Sequence, residues 1–142
     1  MALVLIDTSA WIFNFPPKVI PAVRERIIAL LEQDLAAVAS PILFELLQGS
    51  RSGEQFRQVH QHLSGLHPFP MTESDWLKAA QWASCLRLRG ITVKTMDFLI
   101  AYKAMRHKLT LLHADADFDR LARVVPLRVE SFVRQVRSAH AG

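Results

Sequence analysis

Short unbroken apolar runs alternate along this chain with stretches whose apolar positions repeat every three or four residues. LVLI at 3–6, LAAVA at 35–39, LTLL at 109–112 and LRV at 127–129 read as buried strands. After the prolines at 16, 17 and 21, Ile20, Val23, Ile27, Leu30 and Leu31 follow the helical period. Ser40-Pro41 offers an N-cap and then proline at the first helical position, opening a helix through ILFELLQG. A further helix is expected over 54–66, and HPFPM beyond it is extended. TESD at 72–75 has capping-box spacing, so a helix starts there, runs to Arg89 and stops at Gly90. ITV at 91–93 is too short to assign. Thr95 caps a helix over 96–107, and a short helix near 117–123 and a terminal helix complete the series.

Strands alternating with helices imply an α/β fold, a parallel sheet covered on both faces. The 142 residues contain no repeat, no low-complexity stretch and no linker, so one domain over 1–142 is expected. No window approaches the roughly 18 apolar residues of a membrane span. The apolar start is cut by Asp7 and lacks a basic leader, which argues against a signal peptide. A single cysteine, Cys85, excludes an internal disulfide and agrees with a reducing cytoplasm. It reads as a small buried hydrophobe.

Charge changes the picture more than composition does. The net charge of +4 hides an asymmetry: residues 87–142 carry eleven Lys/Arg against five Asp/Glu, and residues 1–86 carry six against eight. Arg87, Arg89, Lys94, Lys103, Arg106 and Lys108 form a basic region able to hold a polyanion. Solvated basic faces are common, so charge alone does not decide for nucleic acid.

The acids carry the chemistry. In parallel sheets ligands gather at the carboxyl ends of strands. Asp7 follows the first strand, and Asp115 and Asp117 follow the strand at 109–112, inside HADADFD. Glu45 lies about a turn into the helix after the second strand, and Asp97 lies in the first turn of the helix at Thr95. Singly, each has an ordinary reading: Asp97 and Asp117 complement a helix dipole, and Asp7 ends a strand through an Asx-turn. Glu45 resists this, because Leu43, Phe44, Leu46 and Leu47 surround it and a carboxylate there needs a partner. Jointly, acids converging on one sheet edge need cations, and oxygen-only ligation suits Mg²⁺ or Mn²⁺. Such a site acidifies water and stabilises in-line displacement at phosphorus, which points to phosphodiester hydrolysis.

Other constellations fit less well. Asp115-x-Asp-x-Asp119 imitates the start of a calcium loop, but Arg120 and Pro126 stand where glycine and glutamate are required. A receiver-like signalling module wants paired acids after the first strand and a lysine after the last. Here only Asp7 follows the first strand, and PLRVES contains no lysine. His60, His62, His67, His107 and His140 show no zinc-ligand pattern with Cys85. Trp11, Trp76 and Trp82 read as core or interface residues.

VLIDTSAWI (4–12), ASPILFELLQGSR (39–51), TMDFLIAYKA (95–104) and TLLHADADFDRLA (110–122) resemble, in order, the four acidic motifs of PIN-domain nucleases. Their order and the chain length are similar to those of VapC-type toxins of bacterial toxin–antitoxin pairs. The resemblance implies an α/β/α sandwich and Mg²⁺- or Mn²⁺-dependent cleavage of RNA. It also implies a cognate antitoxin whose tail enters the active groove, and a homodimer. Asp7, Glu45, Asp97 and Asp115 take the catalytic and metal-binding acidic places, with Asp117 as an auxiliary metal ligand. Ser9 matches the hydroxyl that orients Asp7 or a water. His113 stands where the family has threonine, as a structural histidine or an aid to proton transfer. A catalytically silent PIN-like binding scaffold is the remaining alternative; such members lose acids, and all four are kept here.

Overall fold

The computed structural model describes residues 2–141. Five strands form one all-parallel sheet: β1 Val4–Ile6, β2 Ala36–Ala39, β3 His67–Phe69, β4 Thr110–His113 and β5 Val129–Ser131. Their order is β3-β2-β1-β4-β5. Parallel neighbours need crossovers, and seven of the eight α-helices among the described residues lie in them, the last following β5. They are α1 Thr8–Trp11, α2 Pro21–Glu32, α3 Ser40–Gln48, α4 Gly53–Ser64, α5 Glu73–Leu88, α6 Thr95–Arg106, α7 Ala116–Ala122 and α8 Val133–Ala141. Among the described residues no helix is long and apolar enough to cross a membrane.

The chain steps outward from β1 to β3, then returns to the other side of β1 with β4 and β5. Connections therefore diverge between β1 and β4, and this switch point is where open α/β sheets leave a crevice. Receiver-type sheets run 2-1-3-4-5, so the order argues against that reading. β1 pairs Ile6 with Leu112, and the Asp7 N–H donates to Leu112 O at 2.9 Å. Leu5, Ile6, Leu111 and Leu112 are wholly buried at the sheet centre, which fixes the level of the strand ends beside them.

Several boundaries differ from the sequence reading, each for a local reason. The strand expected at 109–112 lies one residue later, so His113 ends β4 and accepts from the Phe132 N–H at 2.8 Å. The strand expected at 127–129 becomes Val129–Ser131. HPFPM includes an edge strand, where a proline is tolerated because one side has no partner. Ser40 is the first residue of α3 and not its cap, because Ala39 still has extended backbone; its hydroxyl accepts from the Met71 N–H at 2.9 Å. Thr95 likewise lies inside α6, with Lys94 as N-cap and no side chain capping the helix. Asp7 does more than end a strand: its carboxylate caps α1, accepting from the Ser9 N–H at 3.0 Å.

Two side chains correct the sequence reading of the surface. Cys85 is exposed, because α5 buries Asp75, Ala79 and Leu86 and Cys85 falls off that stripe. Lys103 is buried, so it does not belong to the basic surface. Phe98 through Ala104 of α6 are all covered, and a buried ammonium needs a carboxylate. Asp75 supplies it at 2.9 Å. Asp75 also completes the expected capping box with Thr72 and accepts from the Tyr102 hydroxyl at 3.3 Å. One carboxylate thus starts α5 and fastens it to α6.

Candidate active site

Four elements bring the acids to the carboxyl edge of the sheet. β1 delivers Asp7, α3 carries Glu45, the first turn of α6 carries Asp97, and the β4–α7 junction carries Asp115 and Asp117. One carboxylate oxygen each of Asp97, Asp115 and Asp117 lies within 4.8 Å of the others. Asp7 and Glu45 stand outside this tightest group, yet their charges act on Asp97. The Asp115 carboxylate caps α7 by accepting from the Asp117 N–H at 2.9 Å.

Electrostatics mark the cluster as under-compensated. Burial, then the charges of Asp115, Asp7 and Glu45, push the Asp97 carboxyl up to about 6 against the opposing Lys94. Asp7 is raised by burial, against hydrogen bonds from Ser9 and Thr8 and the nearby His113. Glu45 is raised by burial and by Asp7, while a hydrogen bond from Thr8 lowers it. That bond joins Thr8 Oγ1 to Glu45 Oε1 at 3.0 Å. It is the partner Glu45 required among its leucines.

The positive groups within HADADFD's surroundings are Lys94 and Arg120. Lys94 Nζ lies 3.7 Å from Asp117 Oδ2, and Arg120 pairs with Asp117 Oδ1. His113 is fully buried beneath the acids. Its Nδ1 accepts from the Asp115 N–H at 3.1 Å, which leaves the ring proton on Nε2. Nε2 stands 3.1 Å from Asp119 Oδ1 but is poorly aligned for a hydrogen bond, so the contact is chiefly electrostatic. Burial holds His113 below the usual histidine pKa despite Asp119, and the ring is neutral at pH 7. Ser9 Oγ accepts from the Ala114 N–H at 2.9 Å, tying the first and last acidic segments together.

Sequence reasoning placed every acid at this edge. It missed Thr8, Lys94 and Arg120 as their partners. The hydroxyl at Thr8 was visible beside Asp7, but only the fold brings residues 8 and 45 together. An all-oxygen donor set with raised carboxyls fits a hard divalent cation, which would relieve the repulsion.

Residues 4–124 match the PIN domain family. VapC ribonuclease Mb1587 of Mycobacterium bovis is 35% identical over 133 residues, spanning 92% of this chain and 99% of that protein. Ribonuclease VapC21 of Mycobacterium tuberculosis is 30% identical over 114 residues, 78% of this chain and 83% of its own length. Among solved structures, DNA-bound VapBC from Salmonella typhimurium has a TM-score of 0.74 at 23% identity. The match covers 93% of this chain and 99% of that one. VapBC2 from Rickettsia felis, bound to a promoter DNA fragment, has a TM-score of 0.72 at 20% identity, covering 91% and 98%. Those two likenesses bear on the fold alone. By the family match and the relatives' identity over nearly its whole length, the chain belongs to the PIN domain family, in its VapC group.

Proposed function

We propose that this protein is an endoribonuclease toxin of a toxin–antitoxin pair, dependent on Mg²⁺ or Mn²⁺. Its kinship with VapC ribonucleases supports the ribonuclease assignment, and the motif resemblance to VapC-type toxins supports the toxin role. The convergence of Asp97, Asp115 and Asp117 within 4.8 Å supports the metal dependence. Residues 1–142 act as a single nuclease domain in the cytoplasm, as a homodimer held silent by a cognate antitoxin. The resemblance of the four acidic motifs to those of VapC-type toxins supports such a partner.

Asp97, Asp115 and Asp117 would hold the cation, and Asp7 and Glu45 would complete the negative charge around it. When bound, the cation supplies the positive charge that acidifies a water molecule and offsets the charge of the scissile phosphate. Glu45 Oε1 is committed to Thr8, leaving Oε2 free to take the water's proton. Its raised pKa makes it a stronger base than an ordinary carboxylate. Asp7 is fixed by the Ser9 N–H, and Asp115 by the His113 ring beneath its backbone. His113 is a positioning residue, since its only lone pair already accepts from Asp115.

The test is cleavage of RNA by purified, antitoxin-free protein. Mg²⁺ or Mn²⁺ should support it and EDTA should stop it. Cleavage that persists in EDTA would remove the metal. Expression without the adjoining antitoxin gene should arrest growth, and co-expression should relieve it.

A further inference from the structure

Beside the acids lies a cleft of about 500 Å³ between the α5–α6 loop and α7. Asp97, Asp117, Lys94, Arg120, Val93 and Val124 all line it. Both cations reach from separate elements to one carboxylate, Asp117, which itself belongs to the tight acidic group. Their side chains are 79% and 64% exposed, so the pairing contributes little to folding and is readily exchanged.

This pairing conflicts with the proposed chemistry unless the cations move. A carboxylate held by two cations is a poor ligand for a third. We propose that Lys94 and Arg120 form a phosphate subsite for the nucleotide flanking the one cut, and that Asp117 holds them in place until RNA arrives. The inference rests on the ribonuclease reading above. RNA brings its own anion into the cleft, the two side chains transfer to it, and the Asp117 carboxylate would be left free to help hold a cation. Arginine's planar fork suits two phosphate oxygens, and lysine adds a point charge. Val93 and Val124 offer the sugar and base an aliphatic wall. No aromatic ring among the described residues lines the cleft, so the base is not read there by stacking.

Three measurements on the full-length protein test this, using Lys94→Ala/Arg120→Ala and, as a milder pair, Lys94→Gln/Arg120→Gln. Thermal melting confirms that both variants fold. Binding of a fluorescein-labelled single-stranded RNA in EDTA, followed by anisotropy across salt concentrations, should weaken at least about tenfold. The slope of log K against log salt should shrink by about 0.7 for each phosphate that the variant no longer neutralises. Mn²⁺ affinity without RNA should rise or hold, because Asp117 loses its competitors, while KM for RNA rises more than kcat falls. Wild-type RNA affinity and salt slope in both variants would overturn the subsite, and weakened Mn²⁺ binding would overturn the holding role of Asp117. A wild-type protein that cuts no RNA with Mn²⁺ refutes the ribonuclease reading itself. Wild-type cleavage alongside indifferent variants refutes only the subsite.

Discussion

Thr8 Oγ1 donates to Glu45 Oε1 at 3.0 Å, linking residues 37 positions apart across the carboxyl edge of the sheet. The bond orients Glu45 and lowers a pKa that burial has raised. Thr8→Val keeps the side chain's shape and removes the donor. Glu45 should then titrate higher still, and the acid limb of the pH–rate profile should move to higher pH. Cleavage should fall by about tenfold, the scale of one hydrogen bond to a charged group. Thr8→Ser should restore both rate and limb. A profile unchanged in Thr8→Val would detach Glu45 from the reaction.

Asp97→Asn separates a metal ligand from a helix-dipole partner. As a dipole partner alone, the residue contributes under about 1 kcal/mol, and its loss would leave cleavage intact. As a ligand, its loss should weaken Mn²⁺ binding and lower cleavage by about two orders of magnitude or more. The metal-free stability should move the other way. Folded Asp97 titrates near 6 against 3.8 unfolded, so between those values the folded state holds a proton that the unfolded state has lost. Stability without metal therefore falls as pH rises through that window, and the variant escapes the fall. Calorimetry in EDTA at pH 7 should give Asp97→Asn the higher melting temperature. A lower one would contradict the repulsion.

The same raised carboxyl makes metal binding pH-dependent. Above pH 6 Asp97 is ionised and the ion meets its full charge. Below it, binding must expel a proton, and affinity should drop by up to about tenfold per pH unit. Titration calorimetry in buffers of different ionisation enthalpy counts the protons released. The expected count is near one at pH 5 and near zero at pH 8. A pH-independent affinity from 5 to 8 would remove Asp97 from the ligand set.

The parts legible in the sequence share a cause. Buried parallel strands and capping signals are local patterns, which is why β1, β2, α5 and the Thr72–Asp75 box were readable. Asp7, Asp97, Asp115 and Asp117 were readable because each sits just past a strand or in a helix's first turn, and Glu45 because a carboxylate stands out among leucines. Partnerships between distant residues were not. Thr8 with Glu45, and Lys94 with Asp117, depend on which connections diverge at the switch point. Lys103 shows the same limit: lysine at a helical position reads as solvated until another helix covers it. Cys85 failed in reverse, since a hydrophobe on a long helix need not face the core.

The Asp75–Lys103 pair yields the sharpest stability test, because its two halves are not equivalent. Asp75 has other partners: the Thr72 N–H at 2.9 Å and the Tyr102 hydroxyl at 3.3 Å. Among the described residues Lys103 Nζ has only Asp75 and, at 3.1 Å, His107 Nε2. Burial and the charges of Lys103 and Arg106 keep His107 below the usual histidine pKa, so it can accept but brings no charge. Asp75→Ala leaves a buried ammonium without a counter-charge and should cost about 3–5 kcal/mol. Lys103→Met leaves a carboxylate still holding its cap, and should cost less. The double variant Asp75→Ala/Lys103→Met should be more stable than Asp75→Ala alone, because the stranded charge has gone. The backbone N–H of Thr72, followed by Lys103, holds Asp75 well below the usual carboxylate range. A depressed pKa contributes stability above the unfolded value of 3.8 and loses it only as pH falls further. The ranking should therefore hold from pH 5 to pH 9 in denaturant melts. A double variant no better than Asp75→Ala would mean that the lost cap, and not the unpaired ammonium, sets the cost.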